Sequence, residues 1–185
     1  MKLSGEYRIA APREDVWRAL NDPDVLRSCI PGCEALEATG DGEYSARIVA
    51  AIGPVRASFD TLLRLEEPRP PRAYRLVGES KGGAAGFARG AADVQLDEAG
   101  DATVLRYDAD FKVGGRLAQV GSRLVEGATK KTADAFFDSF SRSLNAGTVQ
   151  TAAQPSAGDS NVFRRTWFGI ASALVVLLLW WSLLL

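Results

Sequence analysis

The sequence predicts an α+β fold of the helix-grip type: a curved antiparallel sheet around one long C-terminal helix, followed by an apolar membrane-spanning helix. Three observations predict it. Between Cys33 and Phe111, apolar and polar residues alternate with period two, and turn residues interrupt them at short intervals. After Gly114-Gly115 the period changes to that of a helix. Residues 166–185, TWFGIASALVVLLLWWSLLL, carry no charge and as a helix would span about 30 Å, the thickness of a bilayer's hydrocarbon core.

The elements follow in order. Leu3, Gly5, Tyr7 and Ile9 alternate with Lys2, Ser4, Glu6 and Arg8, which reads as a strand with one buried face. Pro12 then opens a helix with Arg13, Glu14 and Asp15 in its first turn and Val16, Trp17 and Leu20 on its apolar side. Asn21-Asp22-Pro23 breaks it, and a second short helix carries Val25 and Leu26. Strands follow around turns at Gly40-Asp41-Gly42, Gly53-Pro54, Pro68-Arg69-Pro70-Pro71, Lys81 to Gly86, and Ala99-Gly100-Asp101. Connections this short imply a mostly antiparallel meander. Leu117, Val120, Leu124 and Ala128, then Ala133, Phe136, Phe137, Phe140 and Leu144, recur at helical spacing, which predicts one unbroken helix over 116–144, about 43 Å long.

Three regions are expected: a folded domain over 1–144, a flexible linker over 145–163 rich in Ala, Gly, Ser and Thr, and an anchor over 164–185. Arg164 and Arg165 precede the apolar stretch, and Trp167, Trp180 and Trp181 sit near its ends, where interfacial aromatics belong. The arginines place the domain on the cytoplasmic side of the membrane. No apolar run opens the chain, so no signal peptide is expected.

Composition narrows the chemistry. The net charge is −1, without the basic excess typical of a nucleic-acid binder. There is no histidine, which removes the commonest general base and metal ligand. Cys29 and Cys33 alone cannot make a four-ligand zinc site. They are read as small packing residues, and a reducing compartment disfavours a bond between them. Asp93, Asp108 and Asp110 with Arg89 and Arg106 fall on the strand face opposite the apolar one, so they read as a solvated surface. Gly82 to Gly86 lacks the Lys-Ser/Thr of a phosphate loop. Gly114-Gly115 reads as a tight turn into the helix, and Arg69, Arg72 and Arg75 as a solvated loop.

A sheet wrapped on a helix often leaves an apolar space between them. The expected lining is Trp17, Phe59, Leu63, Tyr74, Leu105, Tyr107, Phe111, Leu117, Val120 and Leu124, with Gly90 and Gly121 small where larger residues would fill it. Residue by residue, two readings stay open at this point: a ligand cavity, or close packing of helix on sheet.

Several motifs are more specific. They are Asp22-Pro23-Asp24-Val25-Leu26 through Cys29-Ile30-Pro31-Gly32-Cys33-Glu34, Gly53-Pro54-Val55, Ala85-Gly86-Phe87-Ala88-Arg89-Gly90-Ala91-Ala92, and Val113-Gly114-Gly115-Arg116-Leu117-Ala118-Gln119. The last runs on to Gly121-Ser122-Arg123-Leu124, and Phe136-Phe137 completes the set. In their order and joint presence the chain resembles the CoxG family of carbon monoxide dehydrogenase accessory proteins, within the START-like (SRPBCC) helix-grip superfamily, over residues 1–144. The resemblance implies a non-catalytic accessory protein that brings a molybdenum hydroxylase to the cytoplasmic membrane and links it to the respiratory quinone pool. It also implies an apolar ligand, a quinone or other lipid, held without a covalent bond. Two alternatives remain: a lipid carrier unrelated to a hydroxylase, and an enzyme acting on a bulky apolar substrate.

Overall fold

The computed structural model describes residues 1–151, with side chains as far as Asn145. Seven strands form one antiparallel sheet in the order β1-β7-β6-β5-β4-β3-β2. They are β1 (Lys2–Ile9), β2 (Cys33–Gly40), β3 (Glu43–Ile52), β4 (Val55–Arg69), β5 (Ala73–Lys81), β6 (Phe87–Ala99) and β7 (Ala102–Gly114). Strands β2 to β7 are the expected meander, and β1 pairs along the free edge of β7, from Lys2 against Asp110 to Ile9 against Thr103. Two short helices, α1 (Arg13–Ala19) and α2 (Pro23–Cys29), cross between β1 and β2. Asp22 caps α2, its carboxylate accepting from the Asp24 amide at 2.9 Å, with Pro23 in the first turn.

The alternation sets the two faces. Across the sheet, Tyr44, Leu63, Gly78, Gly90 and Phe111 make one inward row, and Leu65, Leu76, Ala92 and Ala109 another. The outward set is solvated: Arg75 pairs with Asp93 at 2.8 Å, and Arg106 with Glu6 at 2.7 Å and with Asp97. This is the solvated face expected for Asp93 and Arg106.

The C-terminal helix departs from the expectation of a single element. It divides into α3 (Arg116–Val120) and α4 (Ser122–Thr151) at Gly121, whose φ of 98° lies outside the helical region and is open chiefly to glycine. Helix α3 turns across the end of the sheet, against β4, β7 and the 3₁₀ turn Gly83–Ala85. Helix α4 runs down the concave face and continues past the expected end at Leu144. Its inward residues are Val125, Thr129, Thr132, Ala133, Phe136, Phe137 and Phe140. It reaches α1 and α2 at the far end, where Cys29 Sγ lies 3.9 Å from Ser143 Oγ.

Among the described residues no helix is long and apolar enough to cross a membrane. The anchor expected over 164–185, and all of the expected linker past Thr151, lie outside the described residues.

Candidate functional site

The candidate site is the interior of the grip and the end that α3 closes. Of the residues expected to line a cavity, Phe59, Leu63, Tyr74, Leu105, Tyr107, Phe111 and Leu117 come together in one buried core. Trp17 reaches it from α1 and meets Tyr74 edge-on, with ring centroids 5.7 Å apart. The others fall elsewhere. Gly90 gives the interior no space, because a Cβ there would lie 2.6 Å from that of Phe111. Its smallness lets β6 and the Phe111 side chain approach closely. Gly121 lies at the helix break, and a Cβ there would meet nothing within 4 Å. Val120 is half-buried and Leu124 is 57% exposed. The break explains both: it resets the helical phase, so Val125 turns inward where an unbroken helix would have pointed Leu124.

The interior is more polar than its apolar pattern suggests. Thr61 and Ser80 hydrogen-bond to each other, fully buried. The hydroxyls of Tyr44 and Tyr74 and of Thr132 on α4 are buried with no protein partner. An unpaired buried hydroxyl costs about 1–3 kcal/mol, so two phenols left this way mark a place where something else can accept their protons. On the β1 side, Tyr7 Oη donates to Asp134 on α4 at 2.8 Å, and its ring stacks on Phe137 with centroids 3.9 Å apart. Tyr107 lies over Gly5, where a Cβ would be 2.6 Å from its hydroxyl.

All four phenols are held in the neutral form. Burial pushes the Tyr44 and Tyr74 phenols far above their ordinary value near 10, and for Tyr74 the neighbouring Tyr44 adds to the effect. Burial and then the Asp134 carboxylate do the same to Tyr7. Burial pushes Tyr107 up to about 12. Each is therefore a donor at neutral pH and none is a base. Cys29 and Cys33 are unpaired thiols, and burial raises the Cys33 thiol further. Among the described residues no three His, Cys, Asp or Glu side chains are placed to hold a metal ion.

The way in is at the α3 end. A cleft of about 420 Å³ opens there between the β3–β4 turn, the 3₁₀ turn and α3, lined by Pro54, Val55, Gly82, Ala85, Arg116 and Val120 among others. The Phe59 ring presses on Gly82, so that Phe59 stands between cleft and core. A larger groove of about 950 Å³ lies on the outer face of the sheet, around Leu62 and Val77. Its rim mixes Arg64, Arg75, Arg89 and Lys112 with Glu43, Glu66 and Glu79, and the buried aromatic side chains point away from it.

The sequence profile of the carbon monoxide dehydrogenase G-type subunit (CoxG) matches residues 5–145. The chain belongs to this family. No curated protein sequence matches it. Among solved structures, a conserved protein of Geobacillus kaustophilus superposes with a TM-score of 0.76 at 28% identity, covering 80% of this chain and 97% of that one. A START superfamily protein of Mycobacterium smegmatis superposes at 0.62 with 14% identity, over 78% and 97% of the two chains. An aromatase/cyclase of Streptomyces sp. R1128 does so at 0.58 with 13% identity, over 83% and 98%. The last two share the fold. In this CoxG family member, as in the START-like architecture generally, the interior lies between the sheet and the long helix. Sequence reasoning missed Tyr44, Thr61, Ser80 and Thr132 as part of it. Their strand and helix phase was the available signal.

Proposed function

We propose that the chain is a membrane-anchored accessory protein that recruits a cytoplasmic molybdenum hydroxylase, of the carbon monoxide dehydrogenase type, to the membrane and links it to the respiratory chain. It does so while holding an apolar ligand such as a quinone. Membership of the CoxG family supports the choice of partner. The uncharged stretch 166–185 behind Arg164 and Arg165 supports the anchor and the cytoplasmic side.

The observation that carries the ligand is the pair of buried, unpartnered phenols of Tyr44 and Tyr74 inside an otherwise apolar grip. An apolar molecule with carbonyl oxygens suits such a site: its rings and tail replace packing, and its oxygens accept from the two hydroxyls. Bound there, a quinone supplies the capacity to take up electrons. The protein's part is to hold it, exclude water and admit it through the cleft beside Phe59. No catalytic role is assigned to the chain, because the phenols stay protonated and the paired charges lie on the outer face.

The test has two parts. Mass spectrometry of organic extracts from protein purified in mild detergent is expected to find a quinone in stoichiometric amount. Deletion of the protein is expected to leave the hydroxylase active with a soluble dye while moving it out of the membrane fraction. Loss of dye-linked activity on deletion would overturn the recruitment reading in favour of a role in maturation or catalysis.

A further inference from the structure

The α3 end of the molecule carries an apolar tip ringed by unpaired cations. The β3–β4 turn touches the helix break: a Cβ on Gly53 would lie 3.6 Å from Val120 Cγ1 and 4.0 Å from Leu124 Cδ1. Leu124 is exposed at the crown of this contact. Around it stand Arg56 on the turn strand, Arg116 on α3 and Arg123 on α4, all exposed. Elsewhere on the sheet, arginines such as Arg47, Arg75 and Arg106 are paired with carboxylates. Among the described residues, Arg56, Arg116 and Arg123 have no carboxylate partner. Three free guanidinium groups around an exposed leucine, beside the mouth of the cleft, make a surface that is cationic at its rim and apolar at its centre.

Such a surface fits an acidic protein face or an anionic bilayer, and chain length decides between them. Helix α4 starts at this end and its 30 residues carry the chain about 45 Å away, to the α1–α2 end. Residues 152–163, twelve in all, separate Thr151 from Arg164, and even fully extended they cover at most about 42 Å. A chain anchored at 164–185 therefore cannot comfortably turn its mouth onto the bilayer that holds it. The mouth is presented to what lies in the cytoplasm.

We propose that this end is a docking surface for a protein partner with an acidic rim around an apolar socket, Leu124 being the central contact, so that the cleft opens onto the partner. This rests on the anchored, hydroxylase-recruiting reading above, and it names the surface that reading leaves open. The partner is then the molybdenum hydroxylase.

The test uses the full-length chain in phosphatidylcholine nanodiscs and the purified hydroxylase, with binding followed by interferometry. Leu124→Asp and the triple change Arg56→Glu, Arg116→Glu, Arg123→Glu are each expected to weaken binding about tenfold or more, and wild-type binding is expected to weaken as salt rises. Leu62→Asp and Arg72→Glu, on the outer face and the far end, are expected to leave binding unchanged. Thermal melting verifies that each variant is folded. Mouth variants that bind like wild type would overturn this proposal and leave recruitment standing. Absence of any wild-type binding would overturn both. A fluorophore at Leu124→Cys that is quenched by nitroxide lipids in phosphatidylglycerol vesicles, with hydroxylase binding unaffected by the mouth variants, would reassign the surface to the bilayer.

Discussion

Trp17 stands edge-on to Tyr74, ring centroids 5.7 Å apart at 70°, and so covers a phenol whose hydroxyl has no partner. The ring contact favours the buried position, while the stranded hydroxyl opposes it. Sequences without a use for such a hydroxyl place phenylalanine there.

Replacing Tyr74 with Phe therefore separates stability from binding. In ligand-free protein, Tyr74→Phe is expected to be neutral or to stabilise by up to about 1 kcal/mol, because a desolvated hydroxyl is removed and the ring stays. The quinone content of purified protein is expected to fall. Thermal melting and extract analysis of the same preparation read both. A loss of more than about 1 kcal/mol in ligand-free protein would mean that the hydroxyl already has a native partner.

Alkaline pH tests the four phenols together. Tyr7, Tyr44, Tyr74 and Tyr107 are all the tyrosines of the chain, and each has its folded value raised. A raised value means that the folded state keeps a proton the unfolded chain would release. This contribution to stability is whole below about pH 10, the unfolded value. It is lost as pH rises toward the folded values, of which that of Tyr107 is about 12. Tyrosinate absorbance near 295 nm is expected to stay low through pH 10 to 11 and then to rise for all four in one step coincident with unfolding. A gradual rise of one or more phenols in protein still folded by circular dichroism would contradict the burial.

Most of the sheet was legible from the sequence, and the reason is its period. The inward sets from Val55 to Leu65 and from Leu105 to Phe111 follow from alternation alone, because a one-residue slip would expose them all. The far end of the site was not legible, and the reason is Gly121. Leu117, Val120, Leu124 and Ala128 fit one helical stripe only if the phase is continuous. A glycine inside a helical pattern gives no local sign that it will take φ of 98°. With the phase reset, Leu124 went to the surface and Val125 to the core. The buried polar residues escaped for another reason: reading for an apolar face passes over Thr61, Ser80 and Thr132 even where they hold the right phase.

The break itself can be tested. Gly121→Ala places a Cβ on backbone that L-residues disfavour, and is expected to destabilise by about 1–2 kcal/mol. Nothing lies within 4 Å of that Cβ, so the loss comes from backbone strain, and a larger residue such as Trp would add little further loss. Urea melts of the Ala and Trp variants are expected to agree closely. A much greater loss for Trp would show that the position is crowded and the break differently placed.

The anchor and the domain make separable predictions. Helix α4 runs to Thr151, so a chain stopped there keeps every element of the sheet and grip, and is expected to fold and stay in solution. The full chain is expected to resist carbonate extraction, because the uncharged stretch 166–185 would favour the bilayer by far more than a peripheral contact. In a deletion strain, the truncated chain should then fail to return the hydroxylase to the membrane, since tethering acts only through the local concentration that the anchor imposes. Electron flow from the hydroxylase's substrate to the respiratory chain separates two roles within the proposal. If the protein works by tethering alone, flow stays at the deletion level with the truncated chain. If it also carries quinone between membrane and enzyme, the truncated chain restores part of the flow while the enzyme remains soluble, and Tyr74→Phe in that same truncated chain lowers it again. Full-length protein in the carbonate wash would remove the anchor from the account and leave a soluble carrier in its place.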